Sequence, residues 1–314
     1  MNNNVIKSKQ QKPIVSVVMN CCNCAKYLKE AIDSVYSQTV QDWEIILWDN
    51  ASTEKIDQIV NSYDERLRYF RGEQKITLGA ARNKALEHAV GEYIAFLDCD
   101  DIWYPEKLEK QLLVFKFNSN VKFVYGNFYN FVEASGSKKR TKFVHPKGDF
   151  FAYSLFNYNI GMLTSIMSRA ELMKMEELFD ENLTLSEEYE LFMRFIYFYE
   201  AACVDDPLGE CRIHPKSSSK TQSDKWAYEI QYILDKFERI IPGFQYRYPK
   251  QIEVLMAKIQ YYNARYEMRL GNKRKAREIL KPVAFVNHVF FVLYLLTFLP
   301  MDVWKWAHKY RPAG

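Results

Sequence analysis

A short apolar run that ends in three carboxylates constrains this chain more than any other feature of its sequence. Residues 93–97 read Tyr-Ile-Ala-Phe-Leu, a pattern typical of a buried strand, and Asp98, Asp100 and Asp101 follow. Because unpaired buried charge is costly, these carboxylates need compensation. A divalent cation shared with a phosphate would supply it, and Mg²⁺ or Mn²⁺ suits a small set of oxygen ligands. Alternatively, Asp100 or Asp101 caps a helix that begins near Pro105.

The segments before this run alternate between strand and helix patterns. The predicted strands cover residues 14–19, 43–48, 67–70 and 93–97. The predicted helices cover residues 26–38, 54–63 and 78–90, with Ser52 or Thr53 as the cap of the second. This alternation predicts an α/β fold with a mostly parallel sheet, in which ligands bind at the carboxyl ends of the strands.

The pattern changes after residue 105. We predict helices over 105–117, 171–178 and 185–199, strands over 123–133 and 161–167, a helix or loop over 150–158, and an extended segment over 203–213. From residue 224 onward the pattern is helical and charged. We therefore place the end of the α/β domain near residue 222.

Composition narrows the class of protein. A formal charge of +4 over 314 residues is weakly basic and gives no reason to expect a nucleic-acid partner. The six cysteines show no zinc-ligand spacing, so we interpret them as free thiols in a reducing compartment. Residues 1–12 are polar, lack the apolar core of a signal peptide and are expected to be disordered.

Seven segments, in order, resemble the family 2 glycosyltransferases, enzymes of the GT-A (nucleotide-diphosphosugar transferase) fold. They are residues 16–23, 44–52, 81–83 (Ala-Arg-Asn), 91–101, 179–181 (Phe-Asp-Glu), 187–194 and 212–214 (Arg-Ile-His). The resemblance implies a GT-A domain over 13–222, with a nucleotide-sugar half (13–103) and an acceptor half (104–222). Two departures concern donor recognition: the usual Pro-Thr-Tyr-Asn is Asn20-Cys-Cys-Asn23, and the usual Asp-Asp-Gly-Ser is residues 49–52, Asp-Asn-Ala-Ser.

The resemblance implies roles for the acidic run. Asp100 matches the last Asp of the family's Asp-x-Asp motif and is the expected ligand of Mn²⁺ or Mg²⁺, which neutralises charge on the leaving diphosphate. His214 could join it as a ligand. Asp98 would contact the ribose or a metal-bound water. Asp101 is either a contact to the donor sugar or a helix cap.

The nucleotide would be held by residues at the neighbouring strand ends. Asp49 is expected to accept a hydrogen bond from uracil, which favours a UDP-sugar donor, and Asn20, Cys21 and Asn23 could line the same pocket. Asn23 could instead be an ordinary turn residue. A second group consists of residues that could reach the diphosphate, namely Arg82, Arg212 and Ser217–219. The alternative for Arg82 is a salt bridge on a helix surface.

The acceptor side depends on a run of glutamates. Glu188 is the candidate general base, with Glu187 as its rival, and Glu190 would cap the helix or pair with Arg194. The alternative is a solvated first helical turn favoured by the helix dipole. One base, one metal and no second nucleophile imply single displacement with inversion at the anomeric carbon.

The tail, residues 223–314, is predicted to be helical. Residues 261–280 suggest a helical hairpin that turns at 271–272. Residues 283–299 form a 17-residue apolar run, shorter than the roughly 20 residues of a membrane span. Because basic residues and Trp flank it, we expect residues 283–311 to dock on the cytoplasmic face of the inner membrane, which would suit a lipid-linked glycan acceptor. Alternatively, the run is a buried hairpin or a contact in a homo-oligomer.

Two rival functions compete with glycosyl transfer. A sugar-nucleotide pyrophosphorylase should carry a Gly-rich loop after its first strand, whereas residues 20–24 here contain no Gly. A non-catalytic nucleotide- or glycan-binding protein on a degenerate GT-A fold would bind nucleotide without turnover.

Overall fold

The computed structural model describes residues 12–143, 145–215 and 225–309. The chain divides into two compact units. The first is Met1–His145 with Asn159–His214, and the second is Pro146–Tyr158 with Pro215–Gly314. Residues 1–11 of the segment predicted to be disordered (1–12) and the predicted boundary at residue 222 lie outside the described residues.

Four parallel strands form one half of the sheet in the first unit, in the order β3-β2-β1-β4. Their bounds are β1 (Val15–Cys21), β2 (Trp43–Asp49), β3 (Leu67–Arg71) and β4 (Tyr93–Asp98). The register sets Cys21 beside Asp49 and Asn20 beside Asp98. The carboxyl ends of the three inner strands therefore meet at one edge, as the alternating pattern predicted.

The other half of the sheet is mixed rather than parallel. It consists of β5 (Ile102–Trp103), β6 (Val121–Val132), β7 (Ser137–Arg140), β8 (Ile166–Ser168) and β9 (Glu200–Ile213). β8 runs antiparallel to both β4 and β6, whereas β6 runs parallel to β9. The predicted strand over residues 161–167 is a 3₁₀ turn (Met162–Thr164) followed by the short β8.

Helices cover this sheet. In the first unit they are α1 (Ala25–Tyr36), α2 (Ile56–Val60), α3 (Leu78–Leu86), α4 (Lys107–Phe117), α6 (Arg169–Leu172) and α7 (Glu187–Phe198). α1 buries Leu28, Ile32 and Val35, which recur at helical spacing, in the apolar core with β1 and β2.

The predicted caps of two helices are wrong. α2 begins after Lys55, not after Ser52 or Thr53, and α4 begins after Glu106, so Asp100 and Asp101 cap no helix. Ser52 contacts Asp49 and Asn23 in the loops after β2 and β1, whereas Asp101 accepts from the backbone N–H of Arg212 in β9. In the first unit, Thr77 is a side-chain cap: its hydroxyl accepts from the backbone N–H of Ala80 in α3.

The described part of the second unit is helical. It contains α5 (Phe150–Ser154), α8 (Trp226–Ile240), α9 (Phe244–Arg247), α10 (Pro249–Arg269), α11 (Lys273–Leu280), α12 (His288–Leu296) and α13 (Met301–Lys309). The predicted hairpin is confirmed: α10 and α11 are joined at Gly271, whose φ of 84° favours glycine. Among the described residues, no helix combines the length and apolar character that crossing a membrane requires.

Candidate active site

Asp49, at the end of β2, is fully buried and held by several donors. Its Oδ1 accepts from the backbone N–H of Ser52 over 2.8 Å, and its Oδ2 accepts from Tyr69 and Arg71, each over 2.7 Å. Burial alone would raise the pKa of Asp49, but the hydrogen bonds from Ser52 and Tyr69 outweigh it and hold the pKa below its usual value. Asp49 is therefore an ionised hydrogen-bond acceptor, held in place at the end of β2.

The adjoining loops after β1 and β2 each contain a residue with positive φ, Asn23 at 56° after β1 and Ala51 at 55° after β2. Asn23 Oδ1 accepts from the backbone N–H of Thr53 over 2.8 Å, and the Asn23 backbone N–H donates to Ser52 Oγ. Asn23 therefore fixes the loop, which is the turn role left open in the sequence. Ala51 occupies the left-handed conformation for which the family's usual glycine is suited.

The two other predicted pocket residues differ in what they offer. The Cys21 side chain is buried, and the neighbouring Cys24 thiol together with burial raises the pKa of the Cys21 thiol. Asn20 lies beside Asp98, and its Nδ2 is buried without a hydrogen-bond partner among the described residues. An amide donor left open at this edge is suited to a ligand oxygen.

Arg82 forms a buried bridge, not a salt bridge on a helix surface. Its Nη2 lies 2.9 Å from Asp98 Oδ1, and its Nη1 lies 2.7 Å from Glu187 Oε1. Burial opposes the charge of Arg82, but Asp98 and Glu187 outweigh it, and the pKa is raised. The alternative of an exposed pair is therefore wrong. The guanidinium links the end of β4 to the start of α7.

The acidic run carries negative charge that its neighbours only partly compensate. Asp100 Oδ2 lies 3.0 Å from His214 Nε2. The pKa of Asp100 is raised, first by burial and then by Asp98. Burial, then Asp100 and Asp98, raise the pKa of Asp101 well above its usual range. Since the chemistry of these donors is hard oxygen with one imidazole, the residues fit Mg²⁺ or Mn²⁺.

Asp101 points inward. It is 5% exposed, and its Oδ1 accepts from the backbone N–H of Arg212 over 2.9 Å. Because it anchors β9 in this way, its predicted role as a helix cap is wrong. Its predicted contact with the donor sugar stays a prediction.

Arg212 and His214 lie against α1, a connection that the sequence did not reveal. Arg212 Nη2 lies 2.6 Å from Glu30, and its Nε donates to the Asp100 carbonyl over 3.0 Å. The Tyr27 ring stacks on His214, with ring centroids 5.2 Å apart. Glu30 and Tyr27 therefore position Arg212, near the end of β9, and His214, which follows it. The predicted Ser217–219 contacts lie outside the described residues.

The glutamates of α7 have three different environments. Glu190 is buried and pairs with Arg194, as predicted. Glu187 is 3% exposed, and its Oε2 has no hydrogen-bond partner among the described residues. Glu188 is half-buried at the first turn. Burial of Glu187 and Glu190 overturns the alternative of a solvated first turn for these two residues.

Comparison with known proteins places this site in a family. Residues 16–176, just over half of the 314, match the model of "Glycosyl transferase family 2". A glycosyltransferase of Bacillus subtilis, TuaG, whose name ascribes it to teichuronic acid biosynthesis, is 31% identical over 73% of this chain and 90% of its own. The Escherichia coli UDP-Glc:alpha-D-GlcNAc-diphosphoundecaprenol beta-1,3-glucosyltransferase WfgD is 34% identical over 51% of this chain and 62% of its own.

A solved structure agrees in fold. The mannosyltransferase PcManGT from Pyrobaculum calidifontis, in complex with GDP-Man and Mn²⁺, superposes with a TM-score of 0.61 at 16% identity, over 94% of this chain and 84% of its own. The order of the motifs, the site at the carboxyl ends of β1, β2 and β4, and the match over residues 16–176 agree with one another. The chain belongs to the family 2 glycosyltransferases, enzymes of the GT-A fold.

Proposed function

We propose that this glycosyltransferase moves a sugar from a UDP-sugar to a hydroxyl of a glycan or lipid-linked acceptor, with a divalent metal and inversion at the anomeric carbon. The observation that carries the proposal is the series of side-chain contacts Asp98–Arg82–Glu187, in which Arg82 and Glu187 are buried. It links the strand end suited to the donor diphosphate with the helix that carries the candidate base, through contacts of 2.9 and 2.7 Å.

For the donor, Asp49 is the proposed acceptor of the uracil N3–H, and Asn20 the donor to a ribose or phosphate oxygen. Since Asp49 is fully buried beneath Arg71, whose side chain is 49% exposed, Arg71 must move for the base to reach the carboxylate. The UDP-glucose in the name of WfgD supports uracil. The GDP-mannose bound to PcManGT makes guanine the competing base.

For the metal, Asp100 and His214 are the proposed protein ligands of Mn²⁺ or Mg²⁺. The Mn²⁺ in the PcManGT complex supports this choice. When bound, the ion supplies Lewis-acid stabilisation of the leaving diphosphate. Within residues 12–143, 145–215 and 225–309, no set of three or more acidic, His or Cys side chains is arranged to hold a metal. Donor oxygens and water therefore complete the proposed coordination, so that metal and donor bind together.

For the acceptor, Glu188 is the proposed base and Glu187 a positioning residue, because Glu187 already binds Arg82. Glu188 takes the proton of the acceptor hydroxyl. The hydroxyl oxygen bonds to the anomeric carbon while the bond between that carbon and the diphosphate breaks. Attack opposite the leaving group inverts the anomeric configuration.

The acceptor class is proposed from the names of the relatives. TuaG is ascribed to teichuronic acid synthesis, and WfgD acts on a sugar linked to diphosphoundecaprenol. These names support surface polysaccharide synthesis with a lipid-linked acceptor. The cytoplasmic face of the membrane, as the place of the reaction, is part of the proposal.

The direct test is to incubate the full-length protein with UDP- and GDP-sugars, Mn²⁺ and a sugar linked to a short-chain lipid diphosphate in detergent. Mass spectrometry should show one added sugar from a UDP donor, and NMR of the product should show an inverted anomeric centre. A retained configuration would reject the single displacement. Nucleotide binding without product for any donor would favour the non-catalytic alternative.

A further inference from the structure

One surface of the second unit exposes several large apolar side chains that lie outside the buried apolar cluster of that unit. The apolar surface, as we call it, lies on α12 and its flanking turns. It consists of Phe285 (83% exposed), Phe291 (39%), Val292 (50%), Leu295 (46%), Phe298 (53%) and Leu299 (42%). Contiguous exposed apolar groups of this kind mark a binding surface for protein or membrane.

The other side of α12 shows that this exposure is not poor packing. Phe290 and Leu293 are 5% and 2% exposed and belong to an apolar cluster with residues of α10 and α11, including Ala264 and Leu280. α12 is therefore seated in its unit by one side and is apolar on the other. A helix that is apolar all round needs a second apolar environment.

Basic side chains border the apolar surface directly. Lys273 Nζ donates to the carbonyl of Leu299 over 2.9 Å, and the Arg277 guanidinium lies 4.8 Å from the centre of the Phe298 ring. Across the described part of the chain, neither cation forms an ion pair. Their charge is available to an anionic partner at the margin of the apolar surface.

We infer that the apolar surface inserts into the interface of an anionic lipid bilayer, with Lys273 and Arg277 on the phosphate headgroups. α12 has nine residues, too few to span the hydrocarbon core, and its apolar residues beside basic ones suit a helix that lies in the interface. A two-fold contact between copies would bring the same cations towards one another, whereas a bilayer offers opposite charge. The inference rests on the proposed function, which places the acceptor on a membrane.

The test is co-sedimentation of the full-length protein with vesicles. We expect binding to phosphatidylcholine–phosphatidylglycerol vesicles that weakens with salt, and weak binding to phosphatidylcholine alone. Phe285→Ser should weaken binding about tenfold. K273Q/R277Q should weaken binding to the anionic vesicles by roughly thirtyfold.

Matched controls come from the first unit. Phe117 is 80% exposed, close to the 83% of Phe285, so Phe117→Ser should leave binding unchanged, as should Lys174→Gln. Equal binding by wild type, F285S and K273Q/R277Q would overturn the inference. So would a wild-type dimer that F285S converts to a monomer, because the surface would then join two copies.

An assay of sugar transfer to a water-soluble acceptor, without vesicles, distinguishes failure of this inference from failure of the proposed function. Retained transfer by F285S, with circular dichroism like that of the wild type, shows that the variant is folded and that any lost binding is due to the surface. If the wild type transfers no sugar in this assay, that result counts against the proposed function. The membrane inference is then judged from the vesicle binding alone.

Discussion

Arg82 Nη1 donates to Glu187 Oε1 over 2.7 Å across 105 positions of sequence. The same guanidinium binds Asp98, so one buried cation serves a carboxylate at the end of β4 and another at the start of α7. Arg82 and Glu187 are 3% exposed each. Removing the cation would leave the buried carboxylate of Glu187 uncompensated, which is costly, and Asp98, whose side chain is 37% exposed, would lose its partner.

We therefore predict that Arg82→Gln destabilises the protein by about 3–5 kcal/mol. It should also lower kcat, because Glu187 and Asp98 lose their common anchor. Chemical denaturation and steady-state kinetics below the melting temperature measure the two effects.

Arg194→Gln is the matched control, since it breaks another buried Arg–Glu pair on α7 without touching Asp98. It should lose stability but retain kcat while folded. If Arg82→Gln and Arg194→Gln lower kcat equally, the contacts of Arg82 with Asp98 and Glu187 have no specific role in turnover.

The two adjacent glutamates of α7 should differ in their effect on turnover. Glu188→Gln should abolish transfer while preserving nucleotide binding, because the acceptor hydroxyl loses its base. Glu187→Gln should retain measurable transfer with lower stability. Retained turnover in Glu188→Gln together with its loss in Glu187→Gln would reverse the assignment. Calorimetric titration with UDP and Mn²⁺ checks that the site is intact.

Lys107 carries a buried amine that costs stability. Its Nζ has no hydrogen-bond partner among the described residues and lies 3.8 Å from the centre of the Trp103 ring. Burial lowers the pKa of Lys107 well below its usual value. Between that lowered pKa and the usual one the unfolded chain binds more protons, so wild-type stability should rise with pH there.

Lys107→Met should raise the melting temperature at neutral pH, with the gain shrinking as pH approaches the usual lysine pKa of about 10. Scanning calorimetry across pH measures this. Lys110→Met is the control, because Lys110 pairs with Glu106 and Asp206 at the surface, and it should show no gain. A gain that is independent of pH would contradict the account of Lys107.

Ala51 adopts a backbone conformation that suits glycine, with φ of 55°. Ala51→Gly should therefore stabilise the protein by up to about 1 kcal/mol. Ala80→Gly, within α3, should cost about 1 kcal/mol instead. Urea denaturation compares the two. Destabilisation by Ala51→Gly would show that the loop gains more from the alanine side chain than it loses to strain.

The sequence predicted the parallel half of the sheet because each strand there is a run of apolar residues followed by a helical pattern. It predicted the meeting of Asn20, Asp49 and Asp98 for the same reason, since parallel strands end at one edge. It did not predict that β8 is antiparallel, because a three-residue strand carries no periodicity that distinguishes direction.

Partners distant in sequence were also beyond prediction. An arginine in an amphipathic helix pattern gives no sign that it will be buried between Asp98 and Glu187, and Tyr27 and Glu30 look like ordinary residues of α1. A helix cap was one of two alternatives for Asp101, because it lies just before Pro105. The structure uses it for the backbone of Arg212, 111 positions away. Local sequence signals report local structure, whereas these contacts depend on the tertiary fold.

The most direct measurement of the central claim is the melting temperature of the protein with UDP, GDP, dTDP and CMP, with and without Mn²⁺. Ligands that bind the native state raise this temperature. We predict a rise with UDP that requires Mn²⁺, disappears in Asp100→Asn and persists in the control Asp57→Asn on α2. A rise with UDP that needs no metal, or one that Asp100→Asn leaves unchanged, would contradict a metal-dependent donor site at the end of β4.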